Sequence, residues 1–317
     1  MLKITDVPGI EVGHATHPTE ATGCTVVLCR QGAVAGVDVR GSAPGTRETD
    51  LLRPGFLIQK IHALVLTGGS AFGLRTADGV MQYLWEHRIG YNARGIIVPI
   101  VPAAVIFDLR PNRDPRFPDA QMGYQACETA GQTTPEGLVG AGRGATVGKI
   151  LGPENAMAGG LGSAATELPG GVRVGALAVV NSLGDIVDPG SGAIVAGARE
   201  PDGSGFADTL RCMKEGRLGS PLTATNTTLA VVATNARLTK EQVNKLAQMA
   251  QNGIARVTRP AHTMYDGDVV FALSTGEETA DINLLGEVAA QMVSEAILRA
   301  VTLSNASSTG SELTNLE

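Results

Sequence analysis

Short apolar runs of valine, isoleucine, leucine and alanine alternate with helix-like segments along nearly the whole chain, and this alternation constrains the fold more than any single motif. Strand-like runs stand at TGCTVVLC (22–29), AVAGVDVRG (33–41), His62 to Thr67, GSAATEL, VRVGALAVVN ending at Asn181, TTLAVVATN (227–235) and VVFALSTG (269–276). IIVPIVPAAVIFDL is interrupted by Pro99 and Pro102, so it reads as an edge strand or two short strands. Helical patterns run from Phe72 to His87 and from Pro118 through Cys127. Thr239 and Gln242 form a capping-box pair for a helix to about Ala255, and Leu285, Ala289, Met292, Val293 and Ala296 mark a last helix. The pattern predicts one α/β or layered α+β domain over 1–317, fraying after about residue 303. Residues 201–226 lack periodicity and are rich in Gly, Ser, Pro and Thr, so a long mobile loop is expected there.

Such elements must pack closely, because 41 of 317 residues are glycine and only 3% are aromatic. The surplus glycine has no collagen period and serves turns and close backbone approach. A net charge of −6 argues against a nucleic-acid groove. No apolar run reaches membrane-spanning length, and the N-terminal stretch lacks the pattern of a secretory signal. Cys24, Cys29, Cys127 and Cys212 fit neither a zinc site nor a disulfide scaffold, so reduced thiols in a cytoplasmic protein are expected, with no cofactor and no metal.

Three stretches carry candidate chemistry. Asn226-Thr227-Thr228 joins the long loop to a strand. A hydroxyl residue there can attack the preceding carbonyl, shift the acyl group from nitrogen to oxygen and free a new N-terminus. The freed threonine combines a nucleophile with an α-amino base of pKa about 8. Asp266 and Asp268 flank Gly267 before the next strand and could orient that amine and hydroxyl, although Asp-Gly is also an ordinary turn. Gly140 to Lys149 (GAGRGATVGK) fits a degenerate dinucleotide fingerprint with no convincing strand before it, and misses the phosphate-loop pattern at Arg143 and Ile150. A structural turn and a nucleotide-binding protein both stay open there, with Lys149 as a candidate site cation. No histidine arrangement can be argued from spacing; His62 and His262 stand alone. A histidine-independent nucleophile is therefore favoured for a hydrolase.

The chain resembles the self-processing aminopeptidases of the DmpA type, which include nylon-oligomer hydrolases. The match is carried in order by PGIEVGHAT, TGCTVVL, LTGGSAFGLRTADGV, VPAAVIFDL, GAGRGATVGK, ALAVVN, NTTLAVVATNA and DGDVVFALSTG. The resemblance implies a four-layer αββα sandwich, like that of N-terminal-nucleophile hydrolases, and autocleavage at Asn226–Thr227 into chains 1–226 and 227–317. It implies Thr227 as nucleophile, Asn181 as oxyanion donor, Lys149 as a supporting cation, and Asp266 and Asp268 as the acidic pair. Gly69, Ser70 and Phe107 fall at the implied substrate site, where the nylon-oligomer branch has tyrosine in place of Phe107. The implied substrates are linear amides, either 6-aminohexanoate oligomers or α-, β- or D-alanyl peptides and amides. The implied assembly is a homotetramer of processed pairs.

Overall fold

In a computed structural model describing residues 1–110, 116–219 and 225–308, nine strands form one mixed sheet. They are β1 (Glu11–Thr16), β2 (Gly23–Val39), β3 (Thr46–Arg47), β4 (Lys60–Thr67), β5 (Ala103–Val105), β6 (Gly160–Leu168), β7 (Val172–Asn181), β8 (Thr227–Ala236) and β9 (Val269–Glu278). Their spatial order is β6-β7-β8-β9-β2-β4-β5-β3, with β1 also paired to β2. The β8–β9 and β4–β5 pairs are parallel and the rest antiparallel. The helices are α1 (Thr76–Glu86), α2 (Ala120–Glu128), α3 (Thr209–Glu215), α4 (Lys240–Val257) and α5 (Ile282–Ser308).

The 17-residue β2 turns this sheet into two layers. Its early residues Cys24–Leu28 pair with β1 and β4, and its late residues Val34–Val39 pair with β9. Val27, Leu64 and Leu66 from one layer meet Leu177, Leu229, Val231 and Phe271 from the other in a shared core. Outside the second layer, Ala178, Ala230, Val232 and Ala272 pack on Leu246 and Ala250 of α4 and Val293 and Ile297 of α5. Outside the first, Val26 and Val65 pack on Val80 and Leu84 of α1 and Ala126 of α2. The order helix, sheet, sheet, helix is the expected αββα sandwich. All ten residues of β8 are buried, Leu229 and Val231 toward the other sheet and Ala230 and Val232 toward the helices. Burial on both faces removes polar alternation, which is why β8 reads as a near-continuous apolar run.

The expected capping box opens α4: Gln242 N–H donates to Thr239 Oγ1 at 3.3 Å, and Thr239 N–H donates to Gln242 Oε1 at 2.9 Å. The proline-interrupted segment forms two short strands. Ile96–Val98 pairs with Tyr91–Ala93 apart from the main sheet, and β5 lies between β4 and β3 rather than at an edge.

Residues 201–226 depart from the expected loop, because they contain α3. Asp208 caps it by accepting Arg211 N–H at 3.2 Å. The buried Asp185 carboxylate ties the segment down, accepting from Ala198 N–H at 2.9 Å, Thr209 N–H at 2.6 Å and Thr209 Oγ1 at 2.8 Å. A seven-residue helix held by tertiary bonds is too short to show periodicity in sequence. The part of the expected loop at 220–224 lies outside the described residues. Helix α5 continues past residue 303 to Ser308, since Ala300 and Val301 still belong to the core and Asn305 Nδ2 donates to Ala158 O at 2.9 Å. The remainder of the expected frayed tail, 309–317, is outside the described residues. Among the described residues no helix is long and apolar enough to cross a membrane.

Candidate active site

Thr227 is the first residue of β8 and only 5% exposed. Its hydroxyl donates to the carbonyl oxygen of Asn226 at 2.5 Å, and the same oxygen accepts Gly267 N–H at 2.8 Å. The rung Asp266-Gly267-Asp268 makes this possible by running between two backbones. On one side Asn226 bridges to Asp266 and Asp268 Oδ1 accepts Thr228 N–H at 2.7 Å. On the other side Ala43 N–H donates to Asp266 O, and Arg40 N–H to Asp268 O, each at 3.0 Å. Gly267 has no room for a side chain: a Cβ would stand 2.6 Å from Ala43 O and 2.8 Å from Thr227 Oγ1.

The acidic pair is buried, with each side chain held differently. Asp266 Oδ2 accepts Thr263 N–H at 2.9 Å and Thr263 Oγ1 at 2.6 Å. Burial, with the neighbouring Asp268 charge, still pushes the Asp266 carboxyl above the usual range. Asp268 Oδ2 faces His262, which donates its backbone N–H at 3.1 Å and places ring Nδ1 at 2.8 Å. His262, which stood alone in sequence, thus joins the site; its spacing from Asp268 carried no recognisable signal.

Asn181 ends β7 and is the register partner of Thr227. Its Oδ1 accepts Thr146 N–H at 3.1 Å and Lys149 Nζ at 2.8 Å. An ammonium only donates, so this contact orients the amide and aims Nδ2 the other way. Nδ2 donates to Phe107 O at 3.1 Å and Thr225 O at 3.2 Å. In the intact chain the Asn226 carbonyl is therefore held by Gly267, and Asn181 holds the residue before it. Lys149 Nζ also donates to Asn181 O at 2.9 Å. Burial pulls the Lys149 amine down to about 7, opposed by the charges of Asp266 and Asp108.

Phe107 reaches the network through its backbone carbonyl. Gly69 and Ser70 adjoin it at the end of β4, where Ser70 N–H donates to Ile106 O at 2.9 Å. Gly69, at φ 81°, donates its N–H to Asp108 Oδ1 at 2.7 Å. Asp108, the aspartate of VPAAVIFDL, is a further member: burial lifts its carboxyl to about 6 against the Gly69 hydrogen bond. The structure thus gathers Asn226, Thr227, Asn181, Lys149, Asp266 and Asp268 into one network and joins Gly69, Ser70 and Phe107 to its edge. The glycine-rich loop 140–149 does not cradle an anion. Gly140 N–H donates to Thr16 Oγ1, Ala141 N–H to Thr25 Oγ1, Gly148 N–H to Gly184 O and Lys149 N–H to Leu183 O. With those amides used internally, the phosphate-loop reading loses its basis.

The chain is similar to known proteins along most of its length. The model of peptidase family S58 matches residues 3–314. An uncharacterised aminopeptidase of Mycobacterium leprae is 45% identical, the alignment covering 89% of this chain and 82% of that protein. A 6-aminohexanoate-oligomer endohydrolase of a Kocuria species is 31% identical over 93% of this chain and 84% of its own. Among solved structures, a beta-aminopeptidase of a Burkholderia species superposes with a TM-score of 0.67 at 24% identity, covering 94% of this chain and 85% of that one. The L-aminopeptidase D-Ala-esterase/amidase of Ochrobactrum anthropi, an N-terminal-nucleophile fold variant, does so with a TM-score of 0.67 at 19% identity and the same coverage. Sequence along almost the whole length, and a shared layered fold, lead to one conclusion: this chain belongs to peptidase family S58.

Proposed function

We propose that the protein is a self-processing hydrolase of linear amides with Thr227 as its N-terminal nucleophile. The observation that carries this reading is the Thr227 hydroxyl, 2.5 Å from the Asn226 carbonyl oxygen, with Gly267 N–H on that same oxygen. In the intact chain Thr227 Oγ attacks the Asn226 carbonyl carbon. The C–O bond forms, the C–N bond breaks, and the hydroxyl proton passes to the departing nitrogen. Gly267 N–H stabilises the oxygen that gains negative charge. Water then cleaves the ester, leaving the Asn226 carboxylate on chain 1–226 and a free Thr227 amine on chain 227–317.

That amine, with an ordinary pKa of about 8, takes the hydroxyl proton during substrate attack and returns it to the leaving nitrogen. Displacement of Thr225 from Asn181 Nδ2 frees this donor for the substrate oxyanion. Lys149 holds the Asn181 amide in that orientation, and Asp268 holds Thr228. Oligomers of 6-aminohexanoate are the leading substrate class, supported by the endohydrolase relatives. Short peptides with free amino ends are the second reading, favoured by the aminopeptidase relatives and by Phe107, which lacks a phenolic hydroxyl. Denaturing electrophoresis with N-terminal sequencing tests the core of the proposal. Two chains are expected, the smaller beginning Thr-Thr-Leu; a cut elsewhere would show that Thr227 is not the nucleophile. Assaying 6-aminohexanoate oligomers against dipeptides then separates the two substrate readings.

A further inference from the structure

We infer that His262 is a positioning residue for chain cleavage, anchoring the Asp268 carboxylate that sets Thr227-Thr228 against the Asn226 carbonyl. The inference rests on the self-processing reading above. Asp268 is 2% exposed, and each of its side-chain oxygens has a separate task. Oδ1 holds Thr228 N–H at 2.7 Å, next to the attacking hydroxyl. Among the described residues Oδ2 is held by His262 alone, through backbone N–H at 3.1 Å and ring Nδ1 at 2.8 Å. Two donors from one residue on one oxygen fix the carboxylate's rotation, and hence where Oδ1 points.

The backbone of His262 supports this assignment. It has φ 55°, a left-handed conformation that a non-glycine residue keeps only where its surroundings over-determine it. That conformation lets both donors reach the same oxygen. Ring Nε2 is buried with no hydrogen-bond partner among the described residues, so the bond to Asp268 is the ring's one hydrogen bond there. Asp268 also shares its burial with Asp266, so an ionised Asp268 needs donors to offset its neighbour's charge. Without the ring, Oδ2 keeps one backbone donor and the carboxylate can rotate away from Thr228.

The pair His262→Asn and His262→Gly separates positioning from strain. Both residues tolerate positive φ and keep the backbone N–H. Asparagine Nδ2 stands where His262 Nδ1 does, whereas glycine offers no side-chain donor. Cell-free synthesis of the full chain, sampled over time for the small chain, reads the cleavage rate. Wild type and His262→Asn are expected to cleave within about threefold of each other, and His262→Gly at least about tenfold more slowly, at unchanged far-ultraviolet circular dichroism. Once matured, His262→Gly is expected to lose kcat with KM nearly unchanged. Cleavage of His262→Gly at the wild-type rate, or His262→Asn as slow as His262→Gly, would overturn the inference while leaving the self-processing reading intact. An uncut wild-type chain would overturn both.

Discussion

Asn181 and Thr227 are the last register pair of the antiparallel strands β7 and β8. Directly opposed residues project to the same face of a sheet, with Cβ atoms roughly 4.5–5.5 Å apart. Backbone pairing therefore sets the amide donor beside the hydroxyl, and eight consecutive register pairs from Val174↔Thr234 to Asn181↔Thr227 hold that placement. A site built on two buried central strands is far more rigid than one built on loops.

Replacing Thr227 by alanine removes the attacking oxygen. The expected product is one uncut band near 32.6 kDa on a denaturing gel, with no amide hydrolysis above background. Turnover by purified Thr227→Ala protein would refute the nucleophile.

Gly267→Ala drives a methyl group between Ala43 O and Thr227 Oγ1, where the gaps are 2.6 and 2.8 Å. The hydroxyl or the rung must move. Cleavage should slow by about a hundredfold, the scale of losing alignment and one oxyanion donor. Time-resolved intact-mass measurement checks this.

Asn181→Ala should affect the two reactions unequally. Gly267 N–H, not Asn181, contacts the Asn226 carbonyl, so chain cleavage should survive within about tenfold. Substrate hydrolysis, if Asn181 Nδ2 serves that oxyanion, should lose about 10²–10³ in kcat. Equal losses in both reactions would show that one donor serves both.

Asp108 gives a pH signature. Its folded pKa of about 6 lies above the ordinary value of 3.8, so the folded chain holds the proton more tightly. The associated stability is full below 3.8 and is lost as pH rises to about 6. Asp108→Asn keeps an oxygen for Gly69 N–H and has no charge to bury. Its melting temperature should therefore exceed that of wild type at pH 7.5, with the gap closing toward pH 4.

Lys149 shows the reverse dependence. A folded pKa of about 7 against an ordinary 10.5 means that the unfolded chain binds the extra proton between those values. Wild-type stability should gain a rising component from pH 7 to 10.5 that Lys149→Met lacks. Urea titrations of both proteins at pH 7 and 9.5 measure it. The same variant should lower kcat, because Asn181 Oδ1 loses the donor that orients it.

Much of the architecture was legible from local pattern. Apolar runs marked the strands, Thr239 and Gln242 marked the start of α4, and the Asn226–Thr227 junction was one candidate among several until the family resemblance singled it out. Local rules failed where stability comes from elsewhere in the chain. Helix α3 escaped notice because Asp185, 24 residues before Thr209, supplies its anchoring. Asp108 lies within VPAAVIFDL but had no role assigned there, and His262 has no motif; each matters only through a partner, Gly69 in one case and Asp268 in the other. The sequence by itself marked most of the segments that become strands and helices, since burial periodicity is encoded residue by residue, but not the short α3. Only the tertiary structure decided that Asn181, Lys149, Asp266 and Asp268 surround Thr227, and that Gly267 rather than Asn181 touches the Asn226 carbonyl. Those contacts join residues brought together by strand order, and strand order is a property of the whole packed sheet.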